Sequence, residues 1–212
     1  MYRFVNRSEA GRRLAAMLNK YRNVNGVVLA VPRGAVPVAY EVAKELHLPL
    51  EIVLVKKIGH PNNKEYAIGA VGLTEQFIVP HDNVSASYIQ SETESVRARL
   101  LEMKQKFLGE REPESLTGKI LLLIDDGIAT GNTLLATIQL LKKSMPTKIV
   151  VAVPVIAKGA VEKISSAVDE LVAVLIPDVF YGVGGAYIDF SEVSDEEVAD
   201  CLQKLQRLQQ AE

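Results

Sequence analysis

One stretch constrains this chain more than any other, because it has the pattern of a buried strand, a tight loop and a helix start. It begins at Ile120 and reads Ile-Leu-Leu-Leu-Ile-Asp-Asp-Gly-Ile-Ala-Thr-Gly-Asn-Thr. Five consecutive aliphatic residues are typical of a strand covered on both faces, as in a parallel sheet. Asp125 and Asp126 follow where that strand would end. In open α/β sheets, ligands bind at the carboxyl ends of the strands, so this stretch is the first candidate site.

The loop after the two carboxylates favours an anion. Its residues are small or polar, and Leu134, Leu135, Ile138 and Leu141 then recur at helical spacing. Backbone N–H groups at a helix N-terminus bind phosphate, and small residues let that backbone approach the anion closely. Carboxylates beside such a loop suit hydroxyl groups, or a cation carried by the ligand. A ligand with a phosphate at one end and vicinal hydroxyls nearby is a ribose 5-phosphate.

Residues 121–133 resemble the signature of type I phosphoribosyltransferases at every defining position: four aliphatic residues, two acids, small residues, Thr-Gly and a final Thr. The resemblance implies that the two acids hold the ribose hydroxyls of phosphoribosyl pyrophosphate (PRPP). It also implies that residues 129–133 wrap its 5-phosphate. The PRPP-binding residues expected in this stretch are Asp125, Asp126, Gly127, Ile128, Ala129, Thr130, Gly131, Asn132 and Thr133. A Walker P-loop and a Gly-x-Gly-x-x-Gly dinucleotide fingerprint are both absent from the sequence.

A second strand end also has the residues of an anion site. Residues 26–31 predict a strand that runs into Pro32, Arg33, Gly34 and Ala35 before a helix begins. An arginine fork beside open backbone amides suits an anion. Alone, this pattern would indicate a plain strand-to-helix turn with a surface arginine. By the resemblance it is the pyrophosphate loop, and all four residues join the expected PRPP site.

A lysine pair, Lys56 and Lys57, follows a third predicted strand at residues 50–55. Such a pair is usually solvated charge. By the resemblance one or both lysines reach the pyrophosphate, and Lys57 is the favoured one because it directly precedes the next loop. The catalytic residues that the resemblance implies are Asp125, Asp126, Arg33 and Lys57.

The order of the elements predicts the fold class. Strand and helix patterns alternate from residue 26 to residue 176, which predicts an α/β fold with an open parallel sheet flanked by helices. The resemblance predicts one phosphoribosyltransferase domain (1–212) with a core (24–176), a flap (57–84) and a hood made by the N-terminal helix and residues 177–212. The flap would close over the reacting centre and exclude water. His60 and Glu65, within the flap, are expected to be surface residues.

The predicted hood begins with four aromatic residues among three glycines. Aromatic rings on a glycine-rich loop suit stacking on a planar ring. The segment resembles the base-covering hood of 6-oxopurine salvage enzymes, which implies base-binding roles for Phe180 and Tyr181. Asp189 would then lie near the metal-bound pyrophosphate, although this chain is two residues longer than that pattern between Phe180 and Asp189. For Tyr187 and Phe190, packing in a small core is an equally good interpretation.

The reaction implied by the resemblance is transfer of the ribose 5-phosphate group of PRPP to a nitrogenous base, with release of pyrophosphate. Mg²⁺ would arrive with the pyrophosphate and keep several waters, with Asp125, Asp126 and Asp189 as indirect partners. Ala129 is a departure, because purine salvage enzymes carry an acid before the Thr-Gly that handles a proton of the base. Either another group handles that proton, or the acceptor needs none, or the chain is no longer a purine enzyme.

The composition limits the kinds of binding partner and the cellular compartment that are expected. A net charge of −2 gives no global basic field for nucleic acid, although RNA binding by one basic face stays open. The aliphatic runs are too short to span a bilayer and the N-terminus lacks a signal-peptide pattern, so a cytoplasmic protein without a membrane partner is expected. A single cysteine, Cys201, excludes an internal disulfide and a zinc cluster. The expected partners are PRPP and a nucleobase-like acceptor, and a homodimer stays open.

Two other functions are compatible with the same residues. The first is a non-catalytic regulatory protein of the same fold that binds PRPP or nucleotides. The second is an α/β domain with a different phosphosugar ligand. The intact signature, together with Arg33 and Lys57, favours the enzyme, because a pure sensor could lose its contacts to pyrophosphate.

Overall fold

The computed structural model describes residues 3–79, 81 and 83–210, and the side chains of Glu65 and Gln210 lie outside this description. The predicted flap therefore includes two positions outside the described residues, 80 and 82, and the predicted hood includes two more, 211 and 212. Contacts divide the chain into two compact units. The first comprises Met1–Val53, Pro113–Thr130 and Pro146–Glu212, and the second comprises Leu54–Glu112 and Gly131–Met145. The division into core, flap and hood stays a prediction.

The first unit is built on a parallel sheet of five strands flanked by helices, which confirms the predicted fold class. Its strands are β1 (Gly26–Ala30), β2 (Leu50–Ile52), β6 (Ile120–Ile124), β7 (Lys148–Val155) and β8 (Glu170–Leu175), with β3 to β5 in the second unit. Their order across the sheet is β2-β1-β6-β7-β8, and every neighbouring pair is parallel. The central strand β6 is buried from Leu121 to Ile124. Burial on both faces explains its run of aliphatic residues.

Among the described residues, the α-helices of the first unit are α1 (Arg7–Met17), α2 (Val36–Leu46), α5 (Lys158–Ser165) and α6 (Asp195–Gln210). Asn6 caps α1, since its side chain accepts a hydrogen bond from the backbone N–H of Glu9 at 3.0 Å. Helices α1 and α2 pack so closely that a Cβ on Gly11 would lie 2.7 Å from the carbonyl oxygen of Val38. Helix α1 also contacts β7 and β8, and α6 packs on α2.

The second unit combines an antiparallel sheet with two helices. Its elements are β3 (Val55–His60), β4 (Asn63–Gly72), β5 (Gln76–Ile78), α3 (Ala86–Leu108) and α4 (Asn132–Lys142). Strand β4 lies between β3 and β5, and both helices contact the sheet. Ser85 caps α3 by accepting a hydrogen bond from the N–H of Tyr88 at 3.2 Å. No helix among the described residues is long and apolar enough to cross a bilayer.

The predicted strand at residues 50–55 is wrong in extent. Strand β2 ends at Ile52, and the N–H of Val53 makes a last hydrogen bond to the carbonyl of Ala30 at 2.8 Å. Lys56 and Lys57 lie inside β3, where they pair with β4 in antiparallel register. They therefore do not follow a strand of the parallel sheet. A short aliphatic run shows that a strand forms but not which strand it pairs with.

We expect Leu122→Ala to lower the free energy of unfolding by roughly 2–5 kcal/mol, because it would leave a cavity in the middle of the central strand. The Leu122 side chain is fully buried, whereas Leu101 on α3 is 58% exposed. Leu101→Ala is the matched control and should change the unfolding free energy by less than about 0.5 kcal/mol. Urea titrations followed by circular dichroism measure both values. Equal losses for the two variants would contradict the placement of β6 at the centre of the core.

Candidate functional site

The pairing of β1 with β6 brings two candidate loops together. Ala30 lies opposite Ile124 in the parallel register, and the N–H of Val31 continues the ladder to the carbonyl of Ile124 at 3.1 Å. The loops that follow these strands therefore leave the sheet at the same edge. A Cβ on Gly34 would lie only 2.3 Å from Oδ2 of Asp126, so the first loop requires a glycine at this position. The predicted proximity of the Arg33 loop and the acid pair is observed. The Pro32–Arg33 peptide bond is cis.

The two carboxylates share a partly buried environment. Oδ1 of Asp125 accepts a hydrogen bond from the backbone N–H of Asp126 at 2.8 Å. Burial, with a smaller contribution from the charge of Asp126, raises the pKa of Asp125 to about 8. Burial also raises the pKa of Asp126, and the neighbouring Arg7 opposes this rise. The pair can thus hold one proton near neutral pH in the absence of ligand.

Asp126 is held by two residues that are distant in sequence. The Nε and Nη2 atoms of Arg7 donate to Oδ2 of Asp126 at 3.0 and 2.9 Å. The hydroxyl of Tyr187 donates to the backbone carbonyl of Asp126 at 2.6 Å. The Arg7 and Asp126 side chains are only 11% and 15% exposed. Ion pairs this buried, with good hydrogen-bond geometry, fix a carboxylate more firmly than surface pairs do.

Arg33, the expected pyrophosphate ligand, is partly exposed and faces acidic side chains of the segment that leads into α6. Its guanidinium bonds to Glu192, and Nη1 lies 3.8 Å from Oδ1 of Asp195. Asp189 is exposed, and its Oδ1 accepts a hydrogen bond from the backbone N–H of Ser191 at 3.0 Å. That hydrogen bond lowers the pKa of Asp189, so Asp189 is a ready anion for a cation.

A cavity of about 510 Å³ lies in the first unit beside the end of β7 and β8. Its lining includes Val155, Asp178, Phe180 and Tyr181. Phe180 is partly buried against the neighbouring core, whereas Tyr181 is 78% exposed. The volume is within the range of pockets that hold small organic ligands. Both predicted base-binding residues therefore line one cavity.

Two residues of the signature loop, Gly127 and Ile128, contact residues around this cavity. A Cβ on Gly127 would lie 2.5 Å from Cγ1 of Val183 and 2.8 Å from Cγ1 of Val155. Ile128 continues the contact by donating its N–H to the carbonyl of Val155 at 2.9 Å. The acid pair and the cavity are thus joined through one short segment of the first unit. Substitution of Gly127 by any larger residue would force the loop away from β7.

The remaining residues of the predicted site are placed as follows. Ala129 and Thr130 are exposed at the end of the loop. In the second unit, Gly131 adopts a left-handed conformation with φ of 72° and precedes the first residue of α4, Asn132. Asn132 and Thr133 lie in the first turn of α4, where backbone N–H groups lack helical partners. Lys56 and Lys57 lie on β3 of the same unit.

Sequence reasoning missed Arg7 and left the role of Tyr187 open. Arg12 and Arg13 on the same helix are exposed, but Arg7 reaches a carboxylate 119 residues away. Nothing in the local pattern signals that contact. Tyr187 is 1% exposed and stacks on Phe190 with ring centroids 5.0 Å apart, so the interpretation of Tyr187 as a core residue is confirmed.

The donor set of the site fits a metal ion that arrives with a ligand. Among the described residues, no group of three or more His, Cys, Asp or Glu side chains is arranged to hold a metal ion. Mg²⁺ is commonly bound by one or two carboxylates together with substrate phosphates and waters. Asp125, Asp126 and Asp189 offer carboxylate oxygens of this kind. The chemistry of these residues therefore suits Mg²⁺ carried by a pyrophosphate group.

The acid pair, the glycine–arginine loop and the cavity lie at the carboxyl ends of parallel strands. This is where α/β proteins with open sheets commonly bind their ligands. Residues 5–191 match the model of the phosphoribosyl transferase domain. The chain belongs to the phosphoribosyl transferase domain family. This result confirms the resemblance found in the sequence.

Three relatives illustrate the similarity. The protein TT1426 of Thermus thermophilus, a solved structure, superposes with a TM-score of 0.88 at 38% identity, over 96% of this chain and 99% of that one. A Mycobacterium tuberculosis protein with the provisional name of phosphoribosyl transferase is 36% identical over 209 residues. This alignment covers 96% of the present chain and 47% of the relative, so the chain spans about half of the relative's length. A ribose-phosphate pyrophosphokinase of Pyrococcus furiosus is 45% identical over 56 residues, 26% of this chain and 20% of its own length.

We expect Asp125→Asn to stabilise the protein more at pH 8.5 than at pH 5.5. In the folded protein the pKa of Asp125 is about 8, above the ordinary value of 3.8, so the folded state binds its proton more tightly than the unfolded state. The stability of the wild type should therefore fall as the pH rises from about 4 to 8, and the Asn variant lacks this contribution. The difference in unfolding free energy between the variant and the wild type should grow by about 1–3 kcal/mol over this interval.

Urea titrations at the two pH values, without PRPP or Mg²⁺, measure this difference. Asp200→Asn is the matched control, because Asp200 is an exposed carboxylate paired with Lys204 on the surface of α6. Its difference from the wild type should be the same at both pH values. A pH-independent effect of Asp125→Asn would contradict the buried, proton-binding environment described for the acid pair.

Proposed function

We propose that this protein is a Mg²⁺-dependent phosphoribosyltransferase that transfers the ribose 5-phosphate group of PRPP to a ring nitrogen of a planar base. The observation that carries the proposal is the convergence of Asp125, Asp126, Arg33 and Gly34 at one edge of the parallel sheet. Membership of the phosphoribosyl transferase domain family supports it. The name of the shorter match, ribose-phosphate pyrophosphokinase, is consistent with a phosphorylated ribose as ligand.

Each part of PRPP has a proposed partner. Asp125 and Asp126 would accept hydrogen bonds from the ribose hydroxyls. The backbone of residues 127–133, with the hydroxyls of Thr130 and Thr133, would bind the 5-phosphate. Pro32 to Ala35, with Lys56 and Lys57, would bind the pyrophosphate, and Mg²⁺ would supply further charge neutralisation there. The guanidinium of Arg33 would exchange its bonds to Glu192 and Asp195 for bonds to phosphate oxygens.

The proposed reaction breaks the bond between ribose C1 and a pyrophosphate oxygen and forms a bond between C1 and a ring nitrogen. Pyrophosphate leaves with the electron pair of the broken bond, so positive charge develops on the ribose ring. The carboxylates of Asp125 and Asp126 would stabilise that charge, and Arg33 and Lys57 would stabilise the leaving group. No bond to the protein forms, so catalysis consists of positioning and charge stabilisation. Ala129 offers no acid, and the acceptor proton would leave through another group or solvent.

The cavity lined by Phe180 and Tyr181 is the proposed site of the acceptor base. It adjoins the signature loop through the contacts of Gly127 and Ile128 with Val155. Lys158 and Asp178 form an ion pair at 3.2 Å, and Asp178 belongs to the cavity lining. The carboxylate of Asp178 would accept a hydrogen bond from the edge of a base whose faces contact aromatic rings. The chemical class supported is a planar, nitrogen-containing heterocycle.

Incubation with PRPP, Mg²⁺ and a panel of purine and pyrimidine bases should release pyrophosphate with at least one of them. The double substitution Asp125→Asn and Asp126→Asn should lower turnover at least about a hundredfold, because it removes both negative charges that face the developing cation. Asp200→Asn should retain wild-type turnover. A coupled assay for pyrophosphate measures all three proteins.

The same assay separates the enzyme from its alternative, a regulatory protein that binds PRPP or nucleotides without turnover. Tight binding of PRPP by calorimetry with no pyrophosphate released for any base would favour the regulatory protein. Turnover that survives the double substitution would contradict the roles given to the acid pair. Tight binding of a different sugar phosphate, without binding of PRPP, would favour the remaining alternative, an α/β domain with a different phosphosugar ligand.

Replacement of either aromatic residue of the cavity should weaken binding of the acceptor base more than binding of PRPP. Stacking of a base on an aromatic side chain contributes about 1–3 kcal/mol, so Phe180→Ala or Tyr181→Ala should raise the KM of the base roughly 5- to 100-fold. The KM of PRPP should change by less than about threefold, since neither ring lies in the PRPP-binding loops. Phe180→Tyr keeps the ring and should retain most of the affinity. Equal changes in both KM values would argue against a base site in this cavity.

A further inference from the structure

Arg7 connects helix α1 to two other parts of the first unit, Asp126 and the segment that precedes α6. It is the first residue of α1, and its side chain is 11% exposed. Two of its nitrogens donate to Oδ2 of Asp126, and the third, Nη1, donates to the backbone carbonyl of Ser191 at 2.7 Å. One guanidinium thus contacts both the predicted ribose ligand and the segment that precedes α6.

The guanidinium of Arg7 also contacts an aromatic pair, and one ring of this pair in turn contacts Asp126. It lies over the ring of Phe190, with Cζ 3.9 Å from the ring centroid. Phe190 stacks on Tyr187, and the hydroxyl of Tyr187 returns to the carbonyl of Asp126. The stacked rings and the cation–π contact restrict the guanidinium to one orientation. Asp126 is therefore fixed at its side chain and at its backbone by neighbouring groups that also contact each other.

The pyrophosphate loop closes the remaining side of this arrangement. A Cβ on Gly34 would lie 2.3 Å from Oδ2 of Asp126 and 3.5 Å from Nη2 of Arg7. Oδ2 is thus enclosed by Arg7 and by the backbone of Gly34. Within the part of the chain that the structure describes, Oδ1 of Asp126 accepts no hydrogen bond from another residue, so it is the oxygen left for a ligand hydroxyl.

We propose that Arg7 is a positioning residue for PRPP: it fixes Asp126 through Oδ2, presents Oδ1 to a ribose hydroxyl, and ties the Phe190–Ser191 segment to the ribose site. The inference rests on the proposed function, because it assigns Asp126 to the ribose. Arg7 itself contacts no part of the substrate in this arrangement. Its effect is to keep the carboxylate correctly oriented before PRPP arrives, which reduces the cost of ordering the site on binding.

The opposite role of the same ion pair makes a distinct prediction. If Arg7 were a counter-ion that PRPP must displace, removing it would free Asp126 and tighten PRPP binding. If it were only a structural tie, its loss would lower stability and weaken all ligands of the site alike. Positioning instead predicts a selective loss for ligands that carry the ribose hydroxyls.

Calorimetric titration of the full chain with two probes separates these roles. The probes are PRPP with Mg²⁺, which carries the ribose, and inorganic pyrophosphate with Mg²⁺, which does not. Arg7→Gln should weaken PRPP binding about tenfold or more, by analogy with residues that orient a metal ligand, and should change pyrophosphate binding by less than about twofold. Arg7→Lys keeps one charged donor and should lie between Arg7→Gln and the wild type.

Arg12→Gln is the matched control, since Arg12 lies on the same helix and pairs with Glu41 at 3.2 Å but is 60% exposed. Its PRPP affinity should equal that of the wild type. A double-mutant cycle completes the test: in the Asp126→Asn background, Arg7→Gln should have little further effect on PRPP affinity, because the two residues act through one contact. Melting temperatures of all variants accompany the titrations.

The outcomes are distinguishable from a failure of the proposed function. If the wild type does not bind PRPP, whether or not it binds pyrophosphate, the proposed function fails, and the role of Arg7 falls with it. If the wild type binds PRPP and Arg7→Gln binds it equally or more tightly, the positioning role alone is overturned. Parallel losses for PRPP and pyrophosphate in both Arg7 variants, with lowered melting temperatures, would likewise overturn it in favour of a purely structural tie.

Discussion

The parallel pairing of β1 with β6 is the interaction on which the candidate site depends. The in-register ladder from Gly26 opposite Ile120 to Ala30 opposite Ile124 makes both strands end at the same level. A one-residue slip of either strand would turn its side chains to the opposite face of the sheet and would make the two strands end at different levels. The two loops that leave this edge then approach so closely that only glycine fits at residue 34. Sheet register, rather than any feature of the loops alone, brings the acids and the arginine loop together.

Charge in the unliganded site is balanced by the protein itself. Arg7 neutralises Asp126, while Glu192 and Asp195 face Arg33. Burial of the acid pair disfavours two negative charges, which is why the pKa of Asp125 rises. A ligand that carries a pyrophosphate, hydroxyls and a divalent cation would change this balance at Arg33 and at Asp125, while Arg7 would stay paired with Asp126. The anion would replace the acidic partners of Arg33, and the cation with the ribose would favour the ionised form of Asp125.

Local sequence patterns predicted the elements whose environment is uniform. The five aliphatic residues of β6 and the strand expected at residues 26–31 could be predicted, because each pattern depends on neighbours in the chain. The boundary between β2 and β3 could not be predicted, because the sheet that each strand joins depends on a distant partner strand. The contact of Arg7 with Asp126 could not be predicted for the same reason, because the two residues are 119 positions apart in the sequence. The assignment of individual residues to parts of PRPP stays a prediction.

The contacts around Asp126 also bear on how the protein is synthesised. They join residues near position 7 to residues near 190, and the N-terminal segment pairs with the same late region through Phe4 and Tyr187. A nascent chain that has already exposed β6 cannot complete these contacts until some sixty further residues have left the ribosome (position 126 to position 187). Until then Asp126 lacks its hydrogen bond from Tyr187, and Arg7 lacks its contacts with the Phe190 ring and the Ser191 carbonyl. The site is therefore among the last parts of the first unit to become ordered during translation.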